Sequence, residues 1–101
     1  MASFTKVARK GEIPAGSGKV VQAGAKTLAV FNCDGTFYAI ENACQHRGGP
    51  LGEGALSGTS VSCPWHGWEY DVKTGACQMD PSIKAQPFEV KVDGDDILVA
   101  V

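Results

Sequence analysis

The chain has 101 residues, is 44% hydrophobic and 20% charged, and carries a formal net charge of -2. That length supports one compact domain, and the aliphatic content is too high for a disordered chain. Nine Lys and Arg against eleven Asp and Glu argue against a nucleic-acid binder.

No run approaches the roughly 18 apolar residues of a membrane-spanning helix. The first ten residues also lack the apolar stretch of a secretory signal. The expectation is a soluble, monomeric, cytoplasmic protein with no membrane partner. In that compartment the four cysteines are better read as metal ligands or buried thiols than as disulfides.

In chain order, β-type composition marks residues 4–10, 19–23, 27–32 and 36–41. Between the first two runs, Gly16, Ser17, Gly18 and Lys19 are superficially similar to a phosphate-binding loop. Ile13 stands where that loop needs its first Gly, and Val20 where it needs Ser or Thr, so a plain turn is expected. Residues 42–58 have little periodicity and five glycines. Strand-like runs resume at 59–63, 68–72, 88–92 and 97–101. Asp34-Gly35, Thr74-Gly75 and Asp93-Gly94 signal hairpin turns. Pro81 and Pro87 leave room for no more than a turn around Lys84, Ala85 and Gln86. The result is an all-β domain of about eight or more short strands.

The long irregular middle is bounded by chemistry. Cys44-Gln45-His46 lies near its start, and Cys63-Pro64-Trp65-His66 follows its end, with sixteen residues between His46 and Cys63. Both histidines of the chain and half its cysteines fall in these two motifs. Two thiolates and two imidazoles suit either tetrahedral zinc or an iron–sulfur cluster, although Cys-x-His is tighter than usual zinc-ligand spacing.

Cys-x-His, this spacer and Cys-Pro-x-His-Gly together resemble the signature of Rieske-type [2Fe–2S] proteins. The resemblance covers essentially the whole chain, whose length and strand pattern also match small Rieske ferredoxins. It implies a fold of short antiparallel strands in stacked sheets over residues 1–101. A cluster-binding subdomain of about 43–71 would be inserted in a β base of 1–42 and 72–101. It further implies one [2Fe–2S] cluster, with Cys44 and Cys63 on the inner iron and His46 and His66 on the outer, solvent-near iron. Gly48, Gly49 and Gly67 would let backbone N–H groups approach the sulfurs.

With two thiolates and two neutral imidazoles the oxidised site carries no net charge, so it accepts an electron more readily than a four-thiolate cluster. High-potential Rieske proteins of respiratory bc-type complexes add a disulfide, at positions held here by Gly49 and Trp65. They also place a serine where this chain has Trp68, while Tyr70 keeps the phenol that can donate to a ligand thiolate. Fewer hydrogen bonds to sulfur imply a potential near the low end of the Rieske range, about -150 mV rather than about +300 mV. Deprotonation of the ligand histidines would make that potential fall with pH.

The function implied is a one-electron carrier between a flavin reductase and a terminal oxygenase, docking at the His46/His66 edge. The alternative is the small subunit of an assimilatory nitrite reductase, beside its large subunit. With both histidines used, none is left for the mononuclear iron of an oxygenase, so an enzyme is not expected. Trp65, Trp68 and Tyr70 are read as packing around the cluster, and Arg47 as a surface residue that can steer an acidic partner. Cys33 and Cys77 are read as bystanders, and Asp93, Asp95 and Asp96 as a solvated hairpin tip.

Overall fold

Short β-rich runs divided by glycine turns pair into three antiparallel sheets. The computed structural model describes residues 4–24, 26–42, 50–64, 67–78, 80 and 82–100, and among these it has ten strands. The first sheet has the order β1 (Phe4–Arg9), β10 (Asp96–Ala100), β9 (Val90–Asp93). The second runs β2 (Gly18–Ala23), β3 (Lys26–Cys33), β4 (Thr36–Glu41), β8 (Pro87–Phe88). The third, β5 (Ala55–Ser57), β6 (Ser60–Ser62) and β7 (Glu69–Asp71), lies beside the candidate ligands in sequence. The all-β expectation holds.

The turns explain the pairing. Asp34 and Gly35 both have positive φ, 55° and 94°, which matches the twist of a two-residue hairpin joining Cys33 to Thr36. The last hairpin turns one residue later than expected, with Gly94 and Asp95 between the paired Asp93 and Asp96. After β7, Gly75 donates its N–H to the Asp71 carbonyl at 2.7 Å, and the chain returns so that Tyr70 bridges Cys77. The Gly16 region is a turn: Ser17 donates N–H and hydroxyl to the Pro14 carbonyl, and Gly16 N–H goes to Asn32.

Three details depart from the sequence reading. The stretch 42–58 contains a 3-10 turn at Leu51–Glu53 and the strand β5, both too short to show a period. A further 3-10 turn, Lys10–Glu12, ends β1. The run 88–92 is not one strand: Phe88 pairs with Ala39 in the second sheet, and Val90 pairs with Val99 in the first. Glu89 makes the crossing, and its carbonyl accepts from Ala100 N–H at 2.9 Å.

Strand β3 is buried on both faces, which is why residues 28–31 read as a continuous apolar run. Leu28 and Val30 face the layer between the first and second sheets, with Val21, Ile97 and Val99. Ala29 and Phe31 face the opposite way, into a second cluster with Ile40, Leu51, Val61, Cys63 and Tyr70. Each fully buried aliphatic side chain here contributes about 1.5–3 kcal/mol. This second cluster joins the second sheet to the third.

Gly75 has φ +80° and faces the Ala85 carbonyl, which a Cβ would overlap, whereas Gly94 (φ +61°) has open space around it. Gly75→Ala is therefore expected to cost about 2 kcal/mol or more, and Gly94→Ala about 1 kcal/mol, in urea unfolding. Equal costs would mean that the Ala85 contact is not tight. Cys33, packed at the edge of the second cluster, has its thiol pushed above the ordinary 9.0 by burial, with Lys73 opposing and Asp71 reinforcing. The unfolded thiol ionises first, so its contribution to stability is full below about pH 9 and declines above it. Cys33→Ser is expected to flatten the alkaline fall in Tm; an unchanged slope would contradict the assignment.

Candidate metal centre

Each candidate ligand loop springs from a strand and is closed by backbone hydrogen bonds. The first follows β4. Asn42 donates its N–H to the Thr27 carbonyl at 3.2 Å, which fastens the loop entrance to β3. Its own carbonyl accepts from Leu51 N–H at 2.7 Å, and its side-chain Oδ1 accepts from Gly52 N–H at 2.9 Å. Entrance and exit are therefore held together by one residue. Leu51 then enters the second apolar cluster, fully buried. Cys44 and His46 lie between these stems, outside the described residues, as does Arg47.

The second loop follows β6. Cys63 is 2% exposed. Its N–H donates to the Trp68 carbonyl at 2.7 Å, and its carbonyl accepts from Gly67 N–H at 2.9 Å. Those two bonds tie Cys63 to the backbone of Gly67 and Trp68, and Gly67 (φ +73°) adopts the left-handed conformation that glycine favours. His66 and Trp65 lie outside the described residues. Among the described residues no group of three or more His, Cys, Asp or Glu side chains is placed to hold a metal, and Cys63 is the predicted ligand that the structure describes.

The two loop bases meet in the core. Leu51, at the exit of the first, and Cys63, at the head of the second, belong to one buried cluster with Val61 and Tyr70. Gly54 lies against the carbonyl of Ser62, the residue before Cys63, so closely that a Cβ would overlap it. That contact, with Gly52 and Asn42, was not visible as function in the sequence. The only signal was the glycine density after the first motif, which read as loop.

Of the three aromatic residues of this region, Tyr70 is fully buried in the second apolar cluster, and half-buried Trp68 packs against it. No buried side-chain N or O atom among the described residues lacks a hydrogen-bond partner. Cys77 is buried in that cluster and Cys33 lies at its edge; neither is in a disulfide. The donor chemistry fits an iron–sulfur group: a soft thiol at Cys63, held away from water on a constrained turn, with an imidazole three residues on in sequence.

Known proteins agree with this chemistry. A family model described as the Rieske [2Fe-2S] domain matches residues 3–93. The biphenyl dioxygenase ferredoxin subunit of Pseudomonas sp. (strain KKS102) is 33% identical over 99 residues, covering 96% of this chain and 91% of that protein. A chain in the solved complex of reduced oxygenase and oxidized ferredoxin in carbazole 1,9a-dioxygenase superposes with TM-score 0.87 at 33% identity, over 96% of this chain and 92% of that one. A structure described as an NADH-dependent nitrite reductase small subunit from Mycobacterium tuberculosis reaches TM-score 0.91 at 21% identity, over 100% and 96%, and so shares the fold alone. With motif, fold and full-length relatives in accord, the chain belongs to the Rieske [2Fe–2S] domain family, and its cofactor is one Rieske-type [2Fe–2S] cluster.

Proposed function

We propose that this protein is a ferredoxin that carries single electrons from a flavin reductase to a terminal oxygenase. It is an electron-transfer protein and not an enzyme. The observation that carries this reading is full-length similarity to a dioxygenase ferredoxin subunit, in a chain whose two histidines are both in the ligand motifs. In this reading Cys44, His46, Cys63 and His66 hold the cluster, within a subdomain of about 43–71 set on the base 1–42 and 72–101.

When bound, the cluster supplies a site that takes up and releases one electron. The polypeptide supplies the rest. Burial of Cys63 keeps water from its sulfur, and the Cys63–Trp68 and Cys63–Gly67 hydrogen bonds fix the turn before any partner arrives. Tyr70 is buried with Cys63 in the second apolar cluster, and in this reading its phenol would donate to a ligand thiolate. Two hydrogen-bonded loop bases limit rearrangement between redox states, which favours fast transfer. His46 and His66 form the edge at which a redox partner docks, in the weak and transient manner of small electron-transfer complexes. Among the described residues no helix is long and apolar enough to cross a membrane. In this reading the protein works as a monomer in the cytoplasm.

A second reading, the small subunit of an assimilatory nitrite reductase, rests on the shared fold. Reduction by a flavin reductase followed by delivery to an oxygenase supports the carrier. Co-purification with a large sirohaem-containing subunit would replace it.

Cys63→Ala and His46→Ala are each expected to abolish the visible absorbance and the Rieske electron-resonance signal of the purified protein. Retention of both signals in either variant would overturn the ligand assignment. A redox titration is expected to give a midpoint near about -150 mV. A midpoint above about +100 mV would overturn the low-potential assignment.

A further inference from the structure

We propose that Asn42 is a positioning residue for the cluster, closing the first ligand loop and so setting how firmly that loop retains iron. The inference rests on the ligand assignment above, in which Cys44 is two residues after Asn42. Three hydrogen bonds converge on this one residue: N–H to Thr27, carbonyl from Leu51, and side-chain Oδ1 from Gly52. The first two are backbone bonds that other residues can make. The third requires a short side chain with an acceptor oxygen at this position.

The Gly52 N–H has no easy substitute for that acceptor. Gly52 is buried, and a Cβ added to it would meet Val20 Cγ2 at 2.7 Å and Asn42 Oδ1 at 3.1 Å. Glycine is thus held between β2 on one side and the Asn42 amide on the other. Removing the amide leaves a buried donor unpaired, which costs more than the bond itself contributes. Opening the stem then relieves the unpaired N–H, and the loop between residues 42 and 51 gains freedom. Loss of a ligand loop from a preformed geometry speeds dissociation of the group it holds.

The test follows loss of visible absorbance from the holoprotein in excess iron chelator. Asn42→Ala is expected to lose its cluster about tenfold faster than wild type, with a broadened electron-resonance signal in the reduced state. Asn42→Asp keeps an acceptor oxygen and is expected to stay within about twofold of wild type. Gly94→Ala, altered at a distant hairpin, is expected to lose its cluster at the wild-type rate. Wild-type loss in Asn42→Ala, equal acceleration in Asn42→Asp, or equal acceleration in Gly94→Ala would each overturn the proposal. If Asn42→Ala does not fold, amide exchange in the wild-type chain decides: slow exchange at Leu51 and Gly52 supports the clasp, and unprotected amides overturn it. Iron and sulfide analysis of the wild-type protein separates the two readings: a chain without them overturns the ligand assignment, while amide exchange still judges the clasp.

Discussion

The molecule depends on one packed contact: Leu51 and Cys63 share a dry cluster although they belong to different loops. A thiol ligand needs protection from water and oxidant, and its partner loop needs a fixed distance to it. Both needs are met by burying the loop bases together, under Phe31 and Ile40 from the second sheet and Tyr70 from the third. The sheets form the wall against which Leu51 and Cys63, at the bases of the two candidate ligand loops, are packed. Gly54 belongs to the same contact, because any side chain there would push the first loop's exit away from the backbone beside Cys63.

Much of this was legible beforehand. Asp34-Gly35 announced its hairpin, because a two-residue turn needs positive φ at both positions. The apolar run 28–31 announced a strand, though not that it is covered on both faces. The donors of the two Cys/His motifs left zinc or an iron–sulfur cluster, their resemblance to the Rieske signature pointed to the cluster, and the family comparison agrees. What stayed hidden was tertiary. Strand β5 has three residues, too few for a period, and exists because Leu56 lies opposite Val61. The importance of Asn42 lies in partners ten residues on and on a neighbouring strand, which no local pattern encodes.

The glycines divide by the same logic. Gly94 and Gly35 serve the backbone alone, since nothing stands near the missing side chain. Gly52 and Gly54 serve packing and Gly75, with φ +80°, serves both, because Val20, the Ser62 carbonyl and the Ala85 carbonyl occupy the space a methyl group would take. Both kinds look identical in the sequence. Two of the packing glycines lie within three residues of Leu51, so the close approaches concentrate where the first loop rejoins the core.

The crossing at Glu89 has a mechanical consequence. Phe88 is paired in the second sheet and Val90 in the first, with a single residue between them. Such a seam has no slack: one sheet cannot slide along the other by a residue without breaking ladder bonds on both sides. Losing either sheet also strips an edge strand's anchor from the other. The first and second sheets are consequently tied into one mechanical unit, so that a load applied to either is borne by both.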